Sequence, residues 1–230
     1  MCGRYASARS VQDLAEAFGI GADDIDGVAD PDWNVAPTKP VTVVLERAGH
    51  RVLDTMRWGL IPSWAGDPSI AARLINARVE TVHDKPAFRD ALAARRCLLP
   101  ADGWYEWARQ PDGSLQPYYL TPPDGSLLAL AGLWEKWYDA DGRVLLTTTV
   151  VTGPAPTDLQ SIHDRAPIVL SRDLWSEWLD TREANPGQLL RPTAAGVVRA
   201  HPVSFEVGDV RANHRALTEP VDLPEQTTLF

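Results

Sequence analysis

Cysteine is nearly absent from this chain: two occur in 230 residues, Cys2 and Cys97. They form no C-x-x-C pair, which argues against a disulfide framework or a structural zinc site, and no metal or cofactor is expected. Long apolar runs are missing as well. Nothing approaches roughly eighteen consecutive apolar residues, and the first residues lack a charged-then-apolar leader, so the chain reads as cytoplasmic with no membrane partner. Lysine is scarce, only Lys39, Lys85 and Lys136, so arginine supplies almost all the cations. That bias reflects either genomic composition or a need for bidentate phosphate contacts. Positive charge is short overall. A net charge of −9 speaks against bulk attraction to nucleic acid, where phosphate contacts dominate affinity. The acid, however, collects in Asp23–Asp32 and again in Glu219–Glu225, which read as solvated loops. Bulk charge therefore does not settle the partner.

What is present is a core's worth of apolar residues, 44% of the chain, arranged in short periodic segments. Ser10-Val11-Gln12-Asp13 resembles a capping box ahead of a helix over residues 10–18. Val41–Glu46 and Arg51–Trp58 flank Arg47-Ala48-Gly49-His50, a hairpin signal. Lys85–Arg96 is predicted helical, with Pro86 in its first turn. Strands are predicted at Cys97–Pro100, Gly103–Ala108, Tyr118–Thr121, Leu127–Tyr138, Arg143–Thr152 and Val197–Ser204. A third helix is expected after Ser171, with Leu174, Trp175, Trp178 and Leu179 on one face. Helices do not alternate regularly with strands, which excludes a doubly wound parallel sheet. The expected fold is one α+β domain: a mixed, mostly antiparallel curled sheet or partly closed β-barrel with a few peripheral helices. Residues 1–218 should form it, with 219–230 a flexible tail, and the protein is expected to be a monomer.

Several segments carry chemistry. Loss of Met1 would leave Cys2 with a free 1,2-aminothiol, its amine titrating near ~8 and its thiol near ~8.5. An aldehyde condenses with such an amine, and the thiol then closes a five-membered thiazolidine. Trp33-Asn34-Val35-Ala36-Pro37 reads as a proline-stiffened loop whose asparagine caps its own backbone. Nine tryptophans are many for this length. Most should be core, while exposed ones in Trp58–Trp64 would form stacking platforms for unpaired bases. A strand over Ile75–Glu80 would put Asn76, Arg78 and Glu80 on one face, suited to an anion or sugar, or to a surface ion pair. In Gly103-Trp104-Tyr105-Glu106-Trp107, a strand places Glu106 beside Trp104. There it is either a desolvated carboxyl of raised pKa or the partner of an arginine. His163, in Ile162-His163-Asp164-Arg165-Ala166-Pro167, is either a proton shuttle or a structural histidine.

Taken together, Met1–Tyr5, Trp33–Pro37, Trp58–Trp64, Ile75–Thr81, Ala101–Trp107, Ile162–Pro167 and His201–Ser204 resemble, in order, the motifs of the SRAP family. These are abasic-site processing proteins that crosslink to damaged single-stranded DNA. The resemblance implies a sheet curled around a DNA channel, with Cys2, Asn76, Glu106 and His163 as the reactive group. It implies phosphate contacts by Arg4, Arg78 and Arg165, and a channel lined by Asn34, Pro40, Trp64 and Trp107, with Pro40 and Trp107 wedging bases apart. Single-stranded DNA containing abasic sites is the implied partner, the nucleoid the implied place of work, and weak Schiff-base lyase chemistry an implied side activity. Where the family usually carries a long residue before the proline, this chain has Ala166, which is expected to loosen a DNA contact. The terminal Gln226-Thr227-Thr228-Leu229-Phe230 resembles the peptide that docks bacterial repair proteins on the sliding clamp.

Other classes share parts of this pattern. Class II glutamine amidotransferases also open Met-Cys-Gly, but their glutamine-binding arginine and Gly-Asn oxyanion loop are not recognisable here. A thiol autopeptidase using Cys2 and His163, and a non-catalytic single-strand binder, are the remaining alternatives.

Overall fold

The computed structural model describes residues 2–223. The clamp-like Gln226, Leu229 and Phe230 lie outside them. Among the described residues, twelve strands and three α-helices run in the order β1 (Tyr5–Ser7), α1 (Val11–Phe18), β2 (Asp32–Val35), β3 (Pro40–Arg47), β4 (His50–Trp58), β5 (Asn76–Arg78) and α2 (Arg89–Ala94). There follow β6 (Arg96–Ala101), β7 (Gly103–Arg109), β8 (Leu115–Thr121), β9 (Leu128–Tyr138), β10 (Val144–Pro154), β11 (Arg165–Pro167), α3 (Trp175–Leu179) and β12 (Arg199–Pro202).

Pairing closes part of this into a barrel. β4, β3, β6 and β9 are neighbours in one sheet, and β10 pairs with both β4 and β9, so the five strands return on themselves. Every pairing is antiparallel except those of β10 with β4 and β5. A second sheet, in the order β12-β8-β7-β1-β2, packs against it. Alternation along the strands explains the layering. Val41, Val43, Met56, Trp58, Cys97, Leu99, Leu130 and Val150 share one core with Tyr5, Trp104 and Leu120 of the second sheet. Val44, Leu53, Leu98, Ala131, Leu133 and Val151 point the other way, into a core roofed by Leu14, Phe18, Leu92, Trp175 and Trp178 of the helices. This is the expected mixed, partly closed barrel with peripheral helices.

Local signals behave as their chemistry requires. Ser10 accepts from the Asp13 amide while Asp13 reaches back, the reciprocal capping box. The hairpin turn holds Ala48 at φ 53° and Gly49 at φ 85°, the left-handed pair a two-residue turn needs. Other expectations need correction. The second helix begins at Arg89, past Pro86, because residues 86–88 form a turn before the helix starts. The third is a 3-10 turn over Arg172–Leu174 followed by five α-helical residues, and Ser171 makes no side-chain cap. The strand at Ile75–Glu80 is only Asn76–Arg78, and Trp33–Pro37 is not all loop, since Asp32–Val35 pairs with β1. The late strand shortens to Arg199–Pro202. Val221, at the end of the described chain, still donates to the Pro202 carbonyl.

Candidate active site

Cys2 enters the barrel's core just ahead of β1 and is fully buried. Its Sγ lies 4.0 Å from the Arg4 carbonyl, and the Asn76 side-chain amide donates to the Cys2 carbonyl at 2.8 Å. Asn76 is itself fixed by its position. It opens β5, whose preceding residue Ile75 accepts the Trp58 indole N–H at 2.9 Å, while Trp58 packs edge-on against Tyr5 at 5.2 Å. Burial pushes the Cys2 thiol well above its ordinary range, and the charge of Glu106 adds to that rise. The sulfur is therefore held as a thiol.

Glu106 sits where the strand period puts it. Trp104 and Glu106 face a tight crevice that His163, Leu120 and Ala166 also line. Tyr105 and Trp107 turn to a separate cluster with Ala6, Val203 and Val207. Only 3% of Glu106 is exposed, and burial pushes its carboxyl up to about 7. The His163 ring faces it, with Nε2 4.0 Å from Oε2. That is too long for a direct hydrogen bond. The Arg165 backbone N–H donates to His163 Nδ1 at 2.9 Å, which makes Nδ1 an acceptor and leaves the proton on Nε2, toward Glu106. The Asp164 carboxylate also comes within 3.0 Å of Nδ1, but it is 86% exposed, whereas the amide is fixed by the start of β11. Burial lowers the His163 pKa, so the ring is neutral at physiological pH. A neutral imidazole and a half-protonated carboxyl thus face each other beside a buried thiol.

The arginines differ in readiness. Arg4 donates to Asn34 Oδ1 at 2.7 Å and to the Val207 carbonyl at 2.8 Å, and lies 6.0 Å over the Trp107 ring. Asn34 is wholly buried, and its amide donates to the carbonyls of Val207, Asp209 and Ala212. It does not cap its own backbone; it bolts a distant segment beneath Arg4. Arg165 forms a forked ion pair with Glu80 and donates to the Thr152 carbonyl. The ion-pair reading of Glu80 therefore holds, with Arg165 as its partner. Arg78 and Pro40 are exposed, Trp107 is half-buried, and Trp64 is 60% exposed. Ala166 is buried and forms a wall of the cleft, so it sets the space beside Glu106 and not a surface contact. Leu120, Leu159 and Ile162, which close that cleft, escaped sequence reasoning, as did the 207–212 carbonyls. Nothing local marks them, because their roles come from strand pairing and a contact 173 residues away.

A partly closed barrel that brings together a buried cysteine, a buried carboxyl titrating at about 7 and a half-buried neutral imidazole defines the candidate site of this α+β protein. The chain belongs to the SOS response associated peptidase (SRAP) family, whose pattern matches residues 1–210. It is 36% identical to abasic site processing protein YoqW of Bacillus subtilis, over 95% of this chain and 99% of that protein. It is 34% identical to abasic site processing protein YedK of Escherichia coli, over 96% of this chain and 100% of that one. With abasic site processing protein HMCES of Gallus gallus it shares 34% identity, covering 84% of this chain and 67% of the relative. A Bacteroides thetaiotaomicron crystal structure superposes with a TM-score of 0.84 over 96% of this chain and all of the other, at 21% identity, a likeness of fold.

Proposed function

We propose that this protein captures abasic sites in single-stranded DNA by closing a thiazolidine between Cys2 and the ring-opened sugar, shielding the lesion during the DNA-damage response. The observation that carries this reading is the placement of a carboxyl titrating at about 7 close enough to Cys2 to shift its thiol. The names of the relatives, which process abasic sites, support the choice of substrate.

The chemistry balances without a cofactor. An abasic site is an aldehyde masked as a cyclic hemiacetal. His163, carrying its proton on Nε2, and protonated Glu106 assist ring opening at the sugar oxygen. Once Met1 is gone, the Cys2 α-amine adds to the aldehyde carbon, one of its protons passing to the oxygen, and Glu106 gives its proton to the departing hydroxyl, releasing one water and leaving a protonated imine and the Glu106 carboxylate. The thiol then adds across the C=N bond. Because burial keeps it protonated, its proton must go to a base, and the Glu106 carboxylate formed in the previous step takes it. The C=N electron pair returns to nitrogen, which keeps the proton it already carried, carbon gains sulfur, and Glu106 is reprotonated. Asn76 holds the Cys2 carbonyl so that amine and sulfur reach the same carbon. Arg4, Arg78 and Arg165 would hold phosphates, and Pro40, Trp64 and Trp107 would part the neighbouring bases, with Asn34 acting through Arg4.

The test is mobility on a denaturing gel after mixing the protein with a strand bearing one abasic site. A stable shift with wild type, none with an intact strand, and none with Cys2→Ser is expected. Serine keeps the amine but closes only a weaker oxazolidine. A shift that survives Cys2→Ser, or none with wild type, rejects the proposal.

A further inference from the structure

The sheet face that buries Glu106 does not end at the cleft. Across the pairing of β7 with β8, Glu106 stands opposite Tyr118, and Tyr118 in turn stands opposite Pro202 of β12. Directly opposed residues share a face, about 4.5–5.5 Å apart at Cβ. Tyr118 therefore continues the floor on which Glu106 sits. There the floor opens into a groove of about 590 Å³, with Tyr118 at its base and Arg109 and Arg199 at its edges. Leu159 and Ile162 line both this groove and the narrow cleft, so the two lie side by side on either side of these residues.

The groove's chemistry selects an occupant. Arg199 is exposed and makes no ion pair among the described residues, while Arg109 spends one N–H on the Gly113 carbonyl at 3.2 Å. The acid in the groove, Asp158, accepts the Gly196 amide at 2.9 Å. In a chain of net charge −9, an unpaired arginine, a second arginine and a half-buried phenol ring along one groove are a local exception. Aromatic floor and cationic rim are what a nucleotide needs: stacking for the base, charge for the phosphate.

Resting on the abasic-site reading above, we propose that this groove is a flanking-nucleotide subsite. One nucleotide next to the lesion stacks its base on Tyr118 and sets its phosphate against Arg199, with Arg109 beside it. The strand thereby enters the reactive cleft past Leu159 and Ile162. A stacked base contributes about 1–3 kcal/mol, or roughly five- to 150-fold in Kd.

The experiment compares wild type, Tyr118→Leu, Arg199→Gln and a control, Tyr138→Leu, which alters an exposed ring on the β9–β10 hairpin. Each is titrated with three oligonucleotides: lesion flanked on both sides, on the 5′ side only, and on the 3′ side only. Tyr118→Leu should weaken the doubly flanked strand at least fivefold and only one of the single-flank strands. Arg199→Gln, a surface change that leaves packing intact, should weaken the same pair and flatten the salt dependence by about 0.7 in slope. The control should match wild type. Equal affinity of Tyr118→Leu and Arg199→Gln with wild type on every strand overturns the subsite, as does weakening that ignores which flank is present. Failure of wild type to crosslink at all would instead reject the parent reading.

Discussion

At the scale of single residues, Glu106 carries the most information. Its carboxyl ordinarily titrates at 4.5 and is pushed by burial to about 7. The folded protein thus holds this proton more tightly than the unfolded chain does. Stability from this group is fully present below pH 4.5, falls as pH rises toward 7, and is level above that. Glu106→Gln has no charge to bury, so it should gain on wild type across that window, by on the order of 3 kcal/mol at pH 8. Denaturant midpoints at pH 4.5 and pH 8 measure this; equal differences at both would mean the carboxyl is not desolvated. The same variant should slow crosslinking by roughly 10²–10⁴-fold and lose the break near pH 7 in the rate profile. Single-turnover rates between pH 5.5 and 8.5 provide the check. A burial-raised carboxyl was one of two open readings of Glu106 in the sequence, because the strand period alone put it beside Trp104. What the sequence did not reveal is which side chain would face it. That choice is made by His163, which arrives from 57 residues further on and closes to 4.0 Å.

At the scale of elements, one buried cation ties the ends of α2 and α3 to the barrel, beside the apolar core they share with it. Arg96 opens β6, and its guanidinium donates to the Leu92 and Ala93 carbonyls at 2.7 and 2.8 Å and to Trp178 at 2.6 Å, and also to the Asp180 carbonyl. These are the C-terminal carbonyls of α2 and α3, orphaned in any helix and negative in sum. Arg96→Met should cost about 3 kcal/mol by leaving several of them unsatisfied, while the folded fraction still crosslinks. Urea denaturation measures the loss, and an unchanged midpoint would show the carbonyls finding water. Gly103 fixes the approach of β8 to β7. A Cβ there would collide with the Leu120 carbonyl and the Tyr119 ring. Gly103→Ala should cost about 1–3 kcal/mol by forcing the strands apart, and a thermal melt equal to wild type would contradict this. Most strands were legible because period-two alternation and turn residues are local signals, as β3 and β4 show. Helix bounds were not. α2 and α3 are short, six and five residues, and their ends are set by Arg96 and by packing on β6, which no window of sequence contains.

At the scale of the whole molecule, a protein of net charge −9 is proposed to hold a polyanion. Its basic contacts must be few and local. If Arg4, Arg78, Arg165 and the groove's Arg199 each neutralise one phosphate, log affinity should fall with log salt at a slope of about −3. A slope near zero would remove the phosphate role. Arg165 must also leave, or share, its bond to Glu80, which holds the Glu80 carboxyl below its usual range. Glu80→Gln should therefore tighten DNA binding about two- to fivefold, the worth of a surface ion pair. Weaker binding would mean that Glu80 orients Arg165 for the phosphate instead of competing for it.

The central claim concerns two atoms of one residue, the nitrogen and sulfur of Cys2. Intact mass of the purified adduct, followed by fragmentation of its first peptide, tests it most directly. The account predicts the sum of the des-Met1 protein and the abasic strand less one water, with the added mass on Cys2 and no free thiol there by alkylation. An adduct on any lysine, or one that leaves the Cys2 thiol alkylatable or Met1 in place, would contradict it.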